Sequence, residues 1–284
     1  MARVSGPAVA AVLASSGNVR VMHEEARHLL RAGFGDAAEA FDRTRPVCPA
    51  ALFDDLVSVA GLGPGARVAE IGCGTGQATV PLAARGLAVT AVELSPALAG
   101  LARRRLAGFP GAEVVTEAFE RWRPERAGFD AVVAVSSLHW IDPGLRYAGP
   151  HRLLRPGGAL AVAGCQFARA ADGGRFWTEV QEDYRAVGYA GEPPPPADEI
   201  AGWHFPPEAA AWFTETVSLR YPFRRRYSAA DYVDLLSTQS GTRALGERLA
   251  AEFVRRVGAR LESLGSPDLT VTFVARLTIG RRRG

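Results

Sequence analysis

Three glycines spaced by two, Gly72, Gly74 and Gly76, separate the strand-like run Val68–Ile71 from a helical pattern over about Gln77 to Ala84. Glycine there lets the backbone turn sharply and approach a ligand closely, and the helix start that follows presents free N–H groups. The spacing is G-x-G-x-G. In dinucleotide-binding loops, G-x-G-x-x-G, the third glycine comes one place later. Glu70 stands just before the loop, where a carboxylate can accept from backbone or from a ligand's ammonium group. Seventeen residues beyond Gly76, at the end of the next strand-like run, stands Glu93. An acid at that place can bind both hydroxyls of a ribose.

These residues need a scaffold that holds strand ends side by side, and the pattern from about residue 50 supplies one. Strand-like and helix-like runs alternate, which predicts βαβ units and a doubly wound α/β fold with a mostly parallel sheet. Pro49–Ala60 reads as a helix with proline at its start and Gly61 after its end. The strands Val68–Ile71, Leu87–Val92, Glu113–Thr116 and Phe129–Val135 follow, with a helix over Pro96–Leu106 capped by Ser95. The valines of 129–135 are apolar in both directions, as a buried parallel strand requires. Leu145–Leu154 reads as helix, and Pro156-Gly157-Gly158 as a turn into the strand Ala159–Gly164. Thr214–Tyr221 and Leu269–Ile279 complete seven strands, and Ser228–Leu264 gives two helices around Ser240-Gly241. The chain divides into an N-terminal extension (1–35), a cofactor-binding core (36–165), a mainly helical lid or substrate insertion (166–212) and a C-terminal part of the core sheet with helices (213–284).

Several segments resemble the class I S-adenosylmethionine-dependent methyltransferases in order and spacing. Glu70–Gly76 resembles their cofactor loop, Val92-Glu93-Leu94-Ser95 the ribose-binding strand end, and Thr116-Glu117-Ala118-Phe119 the segment whose acid meets the adenine amino group. Phe129–Trp140 resembles the fourth strand and its exit, and Leu153–Gly158 the turn before the fifth. Leu138-His139-Trp140 and Phe41-Asp-Arg-Thr-Arg-Pro46 are similar to small-molecule enzymes of the trans-aconitate methyltransferase kind, with Phe41 where that group usually has tyrosine. The resemblance implies a seven-stranded Rossmann-like sheet and S-adenosyl-L-methionine as cofactor. It implies cofactor contacts from Phe41, Arg45, Glu70, Gly72, Cys73, Gly74, Gly76, Glu93, Leu94, Glu117, Ala118, Phe119 and Ser136, with Arg45 as the partner of the cofactor carboxylate.

His139 falls at the C-terminal end of the fourth strand, where ligands meet an open α/β sheet. A neutral imidazole there can take a proton from a hydroxyl or amine, which makes His139 the candidate catalytic base. Trp140 is read as a wall of the substrate pocket. Trp203 and His204, in the aromatic-rich stretch 166–213, are the substrate-contact candidates of the insertion.

All 33 basic residues are arginine, the net charge is +3 and the pI is near 9.0, too mild a balance to imply nucleic acid. Arg103–Arg105, Arg224–Arg226 and Arg281–Arg283 read as a solvated helix face, a lid edge and a frayed tail. Cys48, Cys73 and Cys165 fit neither a zinc site nor a disulfide framework, and no metal is expected. No run approaches a membrane span and the N-terminal apolar run is short, so a cytoplasmic protein with a small-molecule substrate is expected. Its activity would be methyl transfer to O, N or carboxylate, possible as a natural-product tailoring step. Methylation of a peptide or RNA is the main alternative, without an Asn/Asp-Pro-Pro-Tyr signature or a nucleic-acid module to favour it. A non-catalytic cofactor-binding protein and a nicotinamide-dependent oxidoreductase come further behind. The substrate and the oligomeric state are not legible.

Overall fold

The computed structural model describes residues 37–169, 174–188, 193–265 and 268–284. The expected extension 1–35, with His23 and His28, lies outside them. The chain forms two compact units. One comprises Met1–Pro46, Gln166–Ile200 and Pro222–Val274, and the other Val47–Cys165, Ala201–Tyr221 and Ala275–Gly284.

Seven strands, β1 (Arg67–Ile71), β2 (Ala88–Glu93), β3 (Ala112–Thr116), β4 (Phe129–Val135), β5 (Leu154–Ala168), β6 (Phe213–Ser228) and β7 (Asp268–Arg282), form one mixed, mostly parallel sheet. Their order is β3-β2-β1-β4-β5-β7-β6. Pairings β1–β2, β1–β4, β2–β3 and β4–β5 are all parallel. The order reverses beside β1, between β1 and β4, so the ends of β1, β2 and β4 border the crevice in which open α/β sheets bind ligands.

Local chemistry explains the second unit's elements. Helix α1 (Ala38–Thr44) belongs to the first unit; α2 (Ala50–Ala60) opens the second after Pro49 and stops at Gly61, whose φ of 66° is left-handed. Its last carbonyls are taken by the N–H groups of Gly61 and Leu62, as in a glycine-terminated helix. Short α3 (Thr79–Ala83) follows the glycine loop. Ser95 caps α4 (Pro96–Arg105), accepting from Leu98 N at 3.4 Å, with Pro96 at the first helical position. Helix α5 (Ala148–Leu153) leads into β5. Ile71, Val92, Val132, Ala134, Leu138, Leu160 and Phe213 share one buried cluster, with Phe119, Trp122 and Phe129.

In the first unit, α6 (Arg175–Ala186), α7 (Ala229–Ser237), α8 (Ser240–Ala244) and α9 (Glu247–Ser263) pack around Tyr232, Phe253, Val257 and Phe273. Buried Asp183 is matched by Arg260 and Arg256, which satisfies a carboxylate that water cannot reach. Three helices thus occupy the span where the pattern predicted two, because α8 breaks off at Leu245-Gly246. Strand β5 is also longer than Ala159–Gly164. It begins at Leu154 and runs through Pro156-Gly157-Gly158, with a register shift against β4 between Phe129 and Ala131. Among the described residues of 166–212, helix is confined to α6 and a short 3-10 turn at Pro207–Ala211.

The arginine clusters differ most from expectation. Arg281 and Arg282 are the end of β7, not a frayed tail. Arg281 donates to the carbonyls of Val59, Ala60 and Gly157, and Arg282 donates to that of Leu154. Arg103 reaches from α4 to Val114 O and Thr116 Oγ1 on β3. Arg224–Arg226 lie in β6, where Arg225 donates to the carbonyls of Arg43 and Arg45. Guanidinium groups cap open carbonyls here, a use that charge counting does not reveal. Cys48 and Cys165 are free thiols whose sulfurs lie 3.5 Å apart.

Candidate functional site

The glycine loop leaves β1 at Ile71 with Gly72, Gly74 and Gly76 at φ of 66°, 59° and 91°, a conformation that side-chained residues rarely hold. Gly72 is also required by space. A Cβ there would lie 2.8 Å from the Cβ of Ser137, whose hydroxyl donates to Ile71 O across the strand ends. Gly72 N and Cys73 N both donate to Val92 O, binding the loop to β2.

Glu93 ends β2 under the loop. Its Oε2 accepts from Gly74 N at 2.9 Å and its Oε1 from Ser95 N at 2.8 Å. The carboxylate therefore joins the second glycine to the cap of α4. Leu94 is half-buried beside it.

Glu70 is buried, 1% exposed. Burial pushes its carboxyl up to about 7; the nearby Thr79 hydroxyl opposes this and the Glu93 charge adds to it. Burial likewise pushes the Cys73 thiol well up, with Glu70 and Glu93 contributing, so Cys73 stays a protonated, inert thiol. Among the described residues, four buried polar atoms of this short stretch lack a full hydrogen bond: Glu70 Oε2, Thr75 Oγ1, Gln77 Nε2 and Thr79 Oγ1, the Thr79 hydroxyl acting on the Glu70 carboxyl. Native proteins rarely leave such atoms unmatched, and a cluster of them marks a place for a polar ligand. Sequence reasoning passed over Thr75, Gln77 and Thr79, although a Thr-Gly-Gln-Ala-Thr run directly after the glycines was the signal.

Glu117 follows β3, its N–H donating to Glu93 O. Its Oε1 accepts from Ala118 N, and from Arg121 Nε and Nη2, holding the carboxyl below its ordinary range. Oε2 has no partner among the described residues. Phe119 is buried in the core cluster, its ring so close to Gly149 that a Cβ there would lie 2.7 Å from it.

At the end of β4, Ser136 is exposed and sits at φ 55°, the one non-glycine residue at positive φ among those described. Strain of this kind persists only where the surroundings enforce it, and it concentrates at functional sites. The next residues form a tight turn, Leu138–Trp140, held by Arg146 donating to the carbonyls of His139 and Ile141. His139 is half-buried, its ring 4.8 Å from that of the buried Trp140. Loop, Glu70, Glu93, Glu117, Ser136 and His139 thus gather at the C-terminal ends of β1–β4. The opposite ends carry an open depression of about 190 Å³ beside Arg67, Pro110, Glu113 and Phe129, away from the end at which such sheets hold ligands.

Trp203 and His204 lie elsewhere in the same unit. Trp203 O accepts from Ser218 and Thr278 hydroxyls, and its ring meets Phe205 edge-on at 5.5 Å. His204 is exposed, with Nδ1 2.6 Å from Glu215 Oε1. No hydrogen bond or ring contact among the described residues joins either to the glycine loop. Phe41 and Arg45 fall in the first unit, where the Arg45 guanidinium lies over the Phe41 ring and donates to Thr238 O and Gln239 Oε1.

Residues 68–158 match a family model described as a methyltransferase domain. An uncharacterized methyltransferase of Mycobacterium tuberculosis is 34% identical over 129 residues, covering 45% of this chain and 50% of that protein. Magnesium-protoporphyrin O-methyltransferase of Rhodobacter capsulatus is 40% identical over 100 residues, 35% of this chain and 42% of that protein. The chain spans about half the length, or less, of these curated relatives. A solved structure described as a candidate type II methyltransferase, from Anaeromyxobacter dehalogenans, aligns with a TM-score of 0.55 over 84% of this chain and 97% of that one. At 23% identity that likeness is one of fold. The methyltransferase-domain match over residues 68–158 thus covers the same strands and glycine loop as the site described above. The polar atoms around the glycines fit a ligand that carries ammonium, carboxylate or hydroxyl groups.

Proposed function

We propose that the protein transfers a methyl group from S-adenosylmethionine to an O, N or carboxylate of a small molecule. The observation that carries this is the glycine loop, with Glu93 fixed beneath it and four buried polar atoms around it without a full hydrogen bond among the described residues. S-adenosylmethionine supplies, when bound, an electrophilic methyl on a sulfonium. Glu93 receives the ribose hydroxyls, Glu117 the adenine amino group through its open Oε2, and Glu70 with the Thr75–Thr79 stretch meets the amino-acid end. Gly72, Cys73, Gly74 and Gly76 shape the bed for it, with Leu94, Ala118, Phe119 and Ser136 bordering the nucleoside and the strand ends.

In-line displacement at carbon asks the protein chiefly for alignment, worth about 7–11 kcal/mol in favourable cases. His139 stands at the same strand ends and accepts a proton from a hydroxyl or amine nucleophile, while Trp140 behind it keeps the site dry. Trp203 and His204 are assigned to the substrate side on the aromatic character of their segment. The finer resemblance to small-molecule enzymes of the trans-aconitate kind rests on Leu138–Trp140 and Phe41–Pro46, and a small-molecule substrate is favoured by the named acceptor of the Rhodobacter relative. No helix among the described residues is long and apolar enough to cross a membrane.

Calorimetric titration with S-adenosylmethionine and S-adenosylhomocysteine tests the reading on wild type and Glu93→Ala. Binding that the substitution weakens by at least about 100-fold is expected, since two backbone N–H groups lose their acceptor along with the ribose. No binding of either ligand to the wild type overturns it.

A further inference from the structure

Arg276 is a half-buried cation for which no described residue provides a counter-charge. It lies in β7, and among the described residues it has neither a hydrogen-bond nor an ion-pair partner; burial alone acts on it, lowering its pKa. Other arginines on this strand behave differently, since Arg281 and Arg282 are saturated with carbonyl oxygens. Burying a guanidinium without an anion is unfavourable, so an unmatched one points to a partner that arrives from outside.

Its position says where. Arg282 and Arg281 reach Leu154 and Gly157 at the start of β5, and the rings of Phe273 and Phe167 meet at 4.8 Å near its end, so β7 runs antiparallel to β5. Three residues along each strand from the phenylalanine pair bring Arg276 alongside Gly164, on the opposite face of the sheet. Thr278, bonded to Trp203 O, and Gly280, against Phe205, share that face with Arg276. Gly164 in turn neighbours Ser136 on β4: Ser136 N donates to Ala163 O, and a Cβ at Gly164 would stand 3.2 Å from Ser136 Oγ. Glycine at 164 thus lets β5 approach Ser136 at the strained end of β4 that leads into His139.

We propose that Arg276 selects an anionic substrate, binding a carboxylate or phosphate that is held and not methylated while the acceptor group lies toward Ser136 and His139. The proposal rests on the methyl-transfer reading. A planar guanidinium pairs with either anion through two parallel hydrogen bonds, and Trp203 and Phe205 nearby favour an aromatic or apolar body attached to it.

The test titrates the protein, saturated with S-adenosylhomocysteine, with benzoate, phenyl phosphate and the neutral benzamide, in wild type, Arg276→Gln and Arg276→Lys. Expected is binding of benzoate or phenyl phosphate to wild type at least about tenfold tighter than benzamide, lost in Arg276→Gln and partly kept in Arg276→Lys. The stronger of the two anions identifies the group. Arg276→Gln should keep wild-type affinity for S-adenosylhomocysteine and an equal or higher melting temperature, since it removes an unmatched charge; a merely structural arginine would lower the melting temperature. Equal binding of anions and benzamide, or anion binding untouched by Arg276→Gln, overturns the proposal with the methyl-transfer reading intact. Loss of S-adenosylhomocysteine affinity in Arg276→Gln also overturns it, assigning the guanidinium to the cofactor. Absence of S-adenosylhomocysteine binding in wild type removes the underlying reading and this proposal with it.

Discussion

Replacing Glu70 by glutamine should stabilise the protein at alkaline pH and change it much less at acid pH. The carboxyl is buried and holds its proton up to about pH 7, against an ordinary 4.5 in the unfolded chain. Between those values the native state binds more protons than the unfolded state, so stability falls as pH rises through the window and the full penalty applies above 7. A pKa displaced from 4.5 to about 7 corresponds to about 3 kcal/mol, most of which develops between pH 5 and pH 8.5. Glutamine keeps the shape and cannot ionise, so any fixed cost of its amide is the same at both pH values. Urea unfolding of both proteins at a series of pH values isolates the term, because all other titrations cancel in the difference. The variant should gain about 2–3 kcal/mol on the wild type from pH 5 to 8.5, or about 5–10 °C in Tm. Curves that stay parallel within about 0.5 kcal/mol would refute the reasoning, since that is the scatter of substitutions without a specific mechanism.

Gly72→Ala places a methyl 2.8 Å from Ser137 Cβ at a φ of 66°, and should cost about 1–3 kcal/mol while abolishing S-adenosylhomocysteine binding in calorimetry. Arg281→Ala leaves the carbonyls of Val59, Ala60 and Gly157 without their donor and should lower stability by about 1–3 kcal/mol in urea unfolding, with S-adenosylhomocysteine affinity unchanged.

Features set by neighbours in the chain were legible. Ser95 followed by proline is a helix start by its own hydrogen bonding, and the valines of Phe129–Val135 announce a strand covered on both faces. The loop from Glu70 to Gly76 and the acid at Glu93 could be read for the same reason, since strand end, turn and helix start occupy consecutive positions. What escaped depends on distant parts of the chain. Nothing local tells that Arg281 meets Val59, that the sulfur of Cys48 approaches that of Cys165, or that Thr278 holds Trp203. Arg276 was invisible for a sharper reason: its interest lies in having no partner among the described residues, which only the surroundings disclose. The three-helix path of 229–263 was missed because Leu245-Gly246 interrupts a continuous apolar pattern without a proline to mark the break.

The strand order has a consequence for how the chain is made. Strand β7 lies between β5 and β6, so β6 reaches the sheet only through a partner that begins forty residues after Ser228. At ribosomal speeds of about 5–20 residues per second, roughly 5–20 s pass between the end of β5 at Ala168 and the start of β7 at Asp268, in which the long edge of β5 waits uncovered. A nascent chain arrested before Asp268 would expose that edge to its neighbours on the polysome, and protection by a chaperone matters most in that interval.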